Sequence, residues 1–141
     1  MPLLHVLAGE HICVHNTAAR GHLRSNVEGD ARACFEVDEP IKVFDYGRFE
    51  CDTGLAYCSA IAYGRVRIVD ERAAKGRFFD ALLAKYGTGV PGRPKSFYPR
   101  LDEVTVYALA VERITGKQCA LPPVSEQWPA LDRTKSPNAK P

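Results

Sequence analysis

The stretch LAYCSAIAYGRVRIVDERAAKGRFFDALLAKYG, residues 55–87, contains the longest strand pattern of the chain, followed directly by its clearest helix pattern. Over residues 55–69, mostly aromatic, polar or charged side chains alternate with small or apolar ones. This period of two predicts a long β-strand. Near the start of this strand one face consists of small residues, and small side chains let another backbone or a flat molecule approach closely. The other face would carry Tyr57, Ser59, Ile61, Tyr63, Arg65 and Arg67.

The second half of the stretch has helical spacing. We expect Asp70 to cap this helix and Gly87 to end it, because these residue types favour the two helix ends. An apolar stripe at that spacing would face the core. It consists of Phe78, Phe79, Leu82, Leu83 and Tyr86.

Short apolar segments precede and follow this stretch. LLHVL and HICVH are separated by a turn containing Gly9, which predicts a β-hairpin at the start of the chain. EVTVYALAVERITGK, residues 103–117, is apolar on both faces over its first half. Strands with two apolar faces are buried on both sides, so we expect this strand to be central in its sheet.

The segment between the hairpin and the long strand is less regular. We expect a short helix that is capped by Asn16 or Thr17 and ended by Gly29. A strand should follow and stop at Pro40, because proline cannot donate to a sheet ladder. We interpret residues 41–54 as a long connection with one irregular strand.

The order of these elements predicts the fold class. Strands outnumber helices, and most connections are too short for parallel crossovers. We therefore expect an α+β fold whose mostly antiparallel sheet is barrel-like. The predicted domain covers residues 1–121, and residues 122–141 are expected to form a proline-rich tail that is either mobile or held on the surface.

Composition narrows the class of protein further. The chain has 141 residues, 45% of them hydrophobic, and a formal net charge of only +2. This small charge argues against nucleic-acid binding driven by phosphate neutralisation. The five cysteines form no C-x-x-C pair, so we expect free, buried or half-buried thiols in a reducing compartment. The N-terminus lacks the features of a signal peptide, which predicts a soluble, cytoplasmic protein.

Polar residues cluster where the second strand should give way to the first helix. This polar corner contains Asn16, Thr17, Arg20 and His22. One interpretation is an ordinary helix cap. The other is an anion site, because a helix N-terminus offers unpaired N–H groups and the positive end of its dipole.

Other residue sets allow chemistry in principle. His11, Cys13 and His15 alternate on one strand, but no second cluster completes a metal site, so we predict none. A nucleophilic pair of Cys13 or Cys58 with a histidine lacks an evident oxyanion donor. The pair Arg65 and Arg67 either binds a phosphate or forms a solvated strand face.

Four blocks in this order resemble a known family: HNTAARGHLRSN, RACFEVDEP, the stretch 57–87, and VTVYALAVERITGK. The set is similar to the pyridoxamine 5'-phosphate oxidase-like proteins, which are FMN-binding split β-barrels. Within that family the likeness is to the group near the nitroimidazole reductases. The resemblance extends from about Pro2 to Lys117.

The resemblance implies an FMN bound at the interface of a homodimer. The low net charge and the short apolar stretches separately predict that neither nucleic acid nor membrane is a partner. Because the flavin carries the chemistry, we assign no catalytic residue. We expect FMN to pass hydride or electrons from NAD(P)H to a small acceptor. The alternative is a non-catalytic flavin- or heme-binding module, or a scaffold without cofactor. Carried over from the family, the cofactor-binding residues are His15, Asn16, Thr17, Gly21, His22, Tyr57 and Ser59. Arg20 is added as a cofactor-binding residue because its fixed charge lies in the polar corner.

The sequence departs from the family pattern at several places. Relatives usually carry a helix and a strand before the segment that matches PLLHV, so we expect an N-terminally short barrel. Leu23 stands where the family has a lysine, and Arg20 or Arg24 would have to replace that cation. Cys58 stands where a larger basic residue is expected.

Overall fold

The computed structural model of the protein describes residues 3–45, 51–87, 89 and 91–123. These residues form strands, helices and one short 3₁₀ turn. In chain order they are β1 (His5–Ala8), β2 (His11–Thr17), α1 (His22–Gly29), β3 (Arg32–Asp45), β4 (Thr53–Val69), α2 (Arg72–Tyr86), the 3₁₀ turn (Leu101–Glu103) and β5 (Val104–Cys119).

The strands form one antiparallel sheet in the order β1-β2-β5-β4-β3. β5 is the middle strand, and the run from Thr105 to Leu109 is buried on both faces. The predicted α+β class, the antiparallel sheet and the central position of the last strand are therefore confirmed. Burial on two faces explains why this strand has no polar face in its first half.

The predicted N-terminal hairpin is also confirmed. β1 and β2 pair antiparallel, with His5 opposite Val14 and Ala8 opposite His11. Gly9, in the turn between them, has a φ of 60°, a conformation that glycine adopts without steric cost. The turn chemistry therefore sets the register of the two strands.

The chain divides into two compact units. One consists of Met1–Cys34 and Ala62–Arg113, and the other of Phe35–Ile61 and Ile114–Pro141. β3, β4 and β5 are long enough to contribute residues to both. Beyond residue 123, the predicted tail lies outside the described residues. The domain boundary at residue 121 therefore stays a prediction.

The core of the first unit lies between α2 and the sheet. Phe78 and Leu82 are buried, whereas Leu83 and Tyr86 are exposed, so the predicted stripe is too wide by two residues. The Tyr86 hydroxyl instead donates a hydrogen bond to the carbonyl of His5. The sheet side of this core is formed by Val6, Cys13, Val69, Val106 and Ala108.

The ends of α2 differ slightly from expectation. Glu71, rather than Asp70, occupies the N-cap position, and its side chain makes no capping hydrogen bond. The helix ends at Gly87 as predicted. A Cβ at Gly87 would collide with the Leu83 carbonyl oxygen, which accepts the Gly87 N–H, so only glycine fits this ending.

β3, most of which belongs to the second unit, differs from two of the predictions. The strand runs through Pro40 and continues to Asp45. β3 is an edge strand of the sheet, and a proline there need not remove a ladder hydrogen bond. Residues 41–45 and 53–54 are therefore strand rather than connection, while residues 46–50 lie outside the described residues.

Close contact between β4 and β5 depends on one glycine of the first unit. A Cβ at Gly64 would overlap the carbonyl oxygen of Ala110 on β5. The small residues predicted on the long strand thus allow a neighbouring backbone to approach.

We expect Gly64→Ala to lower the free energy of unfolding by about 1–3 kcal/mol, because the central strand cannot move away from the added methyl group. Urea unfolding monitored by circular dichroism measures this change.

Gly76→Ala is the matched control, since no atom lies within 4 Å of a Cβ at this position in α2. Alanine there should raise the free energy of unfolding by up to about 1 kcal/mol. A Gly64→Ala variant as stable as the native protein would contradict this close packing of β4 on β5.

Candidate functional site

The polar corner is built by the end of β2, a short connection and the start of α1. Asn16 and Thr17 belong to β2, where Asn16 is opposite Thr105 and Thr17 is opposite Val104. α1 begins only at His22, and Gly21 is its N-cap residue. The prediction that Asn16 or Thr17 caps the helix is therefore wrong, because pairing with β5 extends β2 through both residues.

Among the described residues, no side chain caps the start of α1. Gly21 is extended, no side chain makes a capping hydrogen bond, and no acidic residue lies in the first turn. The Asn16 side chain instead accepts the Thr17 N–H at 2.8 Å. Among the described residues, no side-chain cap accepts the first N–H groups of α1, and uncapped N–H groups at a helix start are the arrangement that anions favour.

Strand geometry separates two of the predicted site residues. Successive residues of a strand point to opposite faces, so His15 and Asn16 cannot share one. The His15 ring packs on α2, with centroid distances of 5.5 Å to Phe78 and 5.2 Å to Phe79. The His15 side chain is thus part of the packing against α2.

His15 has an unusual polar environment. Its Nδ1 atom is buried and has no hydrogen-bond partner within the described part of the chain. Burial lowers the pKa of His15 below its ordinary value of 6.5, because the charged imidazolium loses hydration there. The ring is therefore held as a neutral aromatic group near neutral pH.

Glu28 engages both arginines of the corner. Arg20 Nη2 lies 2.6 Å from Glu28 Oε2, and Arg24 Nε lies 3.0 Å from Glu28 Oε1. The three charges sum to +1. The cations expected to replace the family lysine are present, but a carboxylate of α1 already contacts them.

The other two predicted residues, Tyr57 and Ser59, lie on β4 in the second unit. Ser59 lines an open surface groove of about 250 Å³, and we call this feature the β4–β5 groove. Lys117 Nζ lies 6.0 Å from the centroid of the Tyr57 ring. The groove is lined by Cys58, Ser59, Gly116, Lys117 and Gln118.

Sequence reasoning missed Lys117 as a neighbour of the predicted site residues. The lysine was visible at the end of the block VTVYALAVERITGK, but its neighbours depend on the register between β4 and β5. That register is set by tertiary pairing and not by either strand alone.

Thiols and metal ligands offer little further chemistry. All five cysteines are free, and Cys34, Cys51 and Cys58 are exposed, contrary to the expectation that the thiols are buried or half-buried. Burial raises the pKa of the Cys13 thiol, which disfavours the reactive thiolate. Among the described residues, no three His, Cys, Asp or Glu side chains are grouped closely enough to hold a metal ion.

None of the described helices is both long and apolar enough to span a membrane.

Solved structures with the same fold place the chain among the split barrels. A candidate 5-nitroimidazole antibiotic resistance protein from Bacteroides thetaiotaomicron is 17% identical, with a TM-score of 0.64 over 82% of this chain and 66% of its own. The flavocytochrome Anf3 from Azotobacter vinelandii is 20% identical, with a TM-score of 0.66 over 88% of this chain and 57% of its own. A FAD- and heme-binding protein from Mycobacterium smegmatis is 18% identical, with a TM-score of 0.67 over 84% of this chain and 58% of its own.

These likenesses establish the fold, and the chain spans less than two thirds of each of the three structures. Residues 1–118 match the family model of pyridoxamine 5'-phosphate oxidase. The chain therefore belongs to the pyridoxamine 5'-phosphate oxidase family, as the four sequence blocks predicted. No curated protein matches the chain at a significant level.

The half-buried ring of His15 predicts a pH-dependent stability. Because the folded pKa lies below the unfolded one, the unfolded state binds more protons as pH falls. The stabilisation present above pH 6.5 should be lost as pH falls toward the folded pKa. His15→Phe keeps the aromatic contacts with Phe78 and Phe79 but removes this proton linkage.

Urea unfolding at pH 7.5 and pH 5.5 measures the effect. We expect the free energy of unfolding to fall less on acidification in His15→Phe than in the native protein. His5 also has a lowered pKa, so part of the dependence should remain. His22→Gln, at an exposed position, controls for removing a histidine as such. An equal fall in His15→Phe and the native protein would refute the assignment.

Proposed function

We propose that this protein is a cytoplasmic flavin-dependent oxidoreductase, in which FMN passes hydride or electrons from NAD(P)H to a small acceptor. Membership of the pyridoxamine 5'-phosphate oxidase family supports a flavin-binding role in general. The flavin would supply the hydride chemistry when bound, and the chain's own residues would bind and orient it.

The observation that carries the proposal is the open start of α1. Within the described part of the chain its N-terminal N–H groups have no side-chain cap, and apart from the adjacent residues nothing lies within 4 Å of a Cβ at Gly21, so the backbone there is accessible to a phosphate. His22 stands at the first helical position. These residues fit the phosphate end of a flavin nucleotide.

The two arginines add charge to this corner. An incoming phosphate would compete with Glu28 for Arg20 and Arg24. Ion pairs of exposed side chains contribute only about 0–1 kcal/mol to stability. A phosphate dianion can therefore replace the Glu28 carboxylate beside the arginines at a small cost in free energy. In this proposal Glu28 keeps the arginines beside the helix start and lowers phosphate affinity at the same time.

Substitutions of Glu28 and Arg20 should act in opposite directions on FMN binding. Glu28→Gln frees both arginines and should tighten FMN binding by about two- to fivefold, whereas Arg20→Gln should weaken it by a similar factor. Riboflavin, which lacks the phosphate, should bind both variants like the native protein. Flavin fluorescence titration at fixed ionic strength gives the dissociation constants.

Glu36→Gln, an exposed substitution on β3, is the control for a simple change of net charge. Equal effects on FMN and riboflavin would exclude the corner as the phosphate site. Native protein that shows neither flavin absorption nor a rise in Tm with saturating FMN would overturn the proposed function, because a native-state ligand must stabilise the fold.

A second candidate function is a non-catalytic flavin- or heme-binding module. Two of the similar structures favour it, since one is named a flavocytochrome and another a FAD- and heme-binding protein. Oxidation of NAD(P)H by the flavin-loaded protein separates the enzyme from a carrier. A Soret absorption band after heme addition, without such oxidation, supports the module.

The second unit supports a homodimer. Its strands expose large apolar side chains, and exposed apolar surface of this kind marks interaction sites. The residues are Val37, Ile41 and Val43 on β3, Leu55 on β4 and Ile114 on β5, each between 42% and 64% exposed. We propose that a second copy of the chain covers them.

Val43→Glu should convert a dimer into a monomer, because a buried unpaired carboxylate at an interface is costly. Light scattering after size-exclusion chromatography at micromolar concentration measures the mass. Leu7→Glu is the matched control, since Leu7 is 72% exposed but lies on β1 in the first unit. A native protein that is monomeric at this concentration would contradict the proposed dimer.

A further inference from the structure

The β4–β5 groove contains hydrogen-bond donors of three kinds. Lys117 has an ammonium group, Ser59 a hydroxyl and Gln118 a side-chain amide. No carboxylate is among the described residues that line the groove. A set of donors with one positive charge and no negative charge favours an anionic group over a cation or an apolar fragment.

The charge of Lys117 is available to a ligand. No ion pair joins it to another residue in the described part of the chain, and its Nζ lies 6.0 Å from the centroid of the Tyr57 ring. This differs from the polar corner, where Glu28 contacts Arg20 and Arg24. An anion at Lys117 would not have to displace a protein carboxylate.

The size of the groove indicates how much of a ligand it can hold. Its volume of about 250 Å³ lies below the range of roughly 300–1,000 Å³ that encloses a whole drug-sized ligand. Gly116 adds no side chain to its lining, and a Cβ there would lie 3.6 Å from the Ser59 carbonyl oxygen, at ordinary contact distance. The groove therefore suits one group of a larger molecule.

We infer that the β4–β5 groove is a subsite for one phosphate group of a bound ligand, held by Lys117 and Ser59. Which ligand carries the phosphate depends on the proposed function, whereas the recognition of a phosphate by Lys117 and Ser59 does not. We expect the nicotinamide electron donor to supply this phosphate, because the proposed function assigns the single phosphate of FMN to the start of α1. A flavin phosphate in the groove is the other source, and it would exclude that assignment. Both sources present the same chemistry, a phosphate oxygen that accepts charge-assisted hydrogen bonds.

The first arm of the test uses the full chain and two flavins. If the flavin phosphate lies in the groove instead of at the start of α1, Lys117→Gln weakens FMN binding by about tenfold or more, which is the loss expected for one charge-assisted hydrogen bond, and leaves riboflavin binding unchanged. This outcome supports the subsite, identifies the flavin phosphate as its occupant and excludes the polar corner as the flavin phosphate site. Ser59→Ala then weakens FMN binding in the same direction by a smaller factor.

The second arm uses ADP-ribose, which carries the phosphates of the nicotinamide donor without its reactive ring. A loss of about tenfold in ADP-ribose affinity in Lys117→Gln, with unchanged FMN binding, supports the subsite and identifies the donor as the occupant. Isothermal titration calorimetry at fixed ionic strength measures both ligands.

Lys42→Gln is the matched control, because Lys42 is an exposed lysine on β3 that does not line the groove. Lys117 is itself exposed, so an unchanged Tm should show that its substitution leaves the fold intact. Equal losses in Lys117→Gln and Lys42→Gln, a matching loss for riboflavin, or no loss for either phosphate ligand would overturn the inference.

Failure of the proposed flavin function and failure of the groove subsite give different binding results. If the native protein binds neither FMN nor riboflavin, the proposed function fails, and the ADP-ribose arm alone decides the subsite. If the native protein binds flavin and Lys117→Gln changes neither phosphate ligand, only the subsite is lost. Native protein that binds none of these ligands overturns both.

Discussion

The structure depends on β5 as the middle strand of the sheet. In the first unit its backbone pairs with β2, from Ala110 opposite His11 to Val104 opposite Thr17, and both of its faces are buried from Thr105 to Leu109. A backbone that is buried in this way must have its N–H and C=O groups paired in hydrogen bonds. This requirement fixes the positions of the neighbouring strands. Gly64 of β4 lets the next strand approach on the other side. The positions of Asn16 and Thr17 on β2 follow from this pairing.

Strand alternation and strand pairing then sort the polar residues. His15 and Asn16 are adjacent in sequence, yet the pleat sends them to opposite faces, and His15 becomes part of the packing against α2. Lys117 and Tyr57 are distant in sequence, yet they become neighbours across β4 and β5. The neighbours of a polar side chain therefore depend on strand alternation and on pairing as well as on its place in the sequence.

The charges of the molecule differ in how available they are. Arg20 and Arg24 share one carboxylate, so an anion at the polar corner must compete with Glu28. Lys117 has no such competitor among the described residues. Because exposed ion pairs are weak, neither situation excludes anion binding, but the two places should differ in their dependence on salt. The family relationship fixes neither which place a phosphate occupies nor which ligand carries it.

The sequence by itself determined the hairpin around Gly9, the helix ending at Gly87 and the central position of the last strand, because turn residues and apolar periodicity act over a few neighbouring residues. The ordered blocks also identified the family. Only the tertiary structure decided that β2 extends through Thr17, that β3 passes Pro40 and that Leu83 and Tyr86 stay exposed. Each of these outcomes depends on which strand lies alongside or how much surface a helix covers. The same holds for the neighbours of Lys117 and for the arginines at Glu28, since pairing register and side-chain direction arise when distant segments pack together.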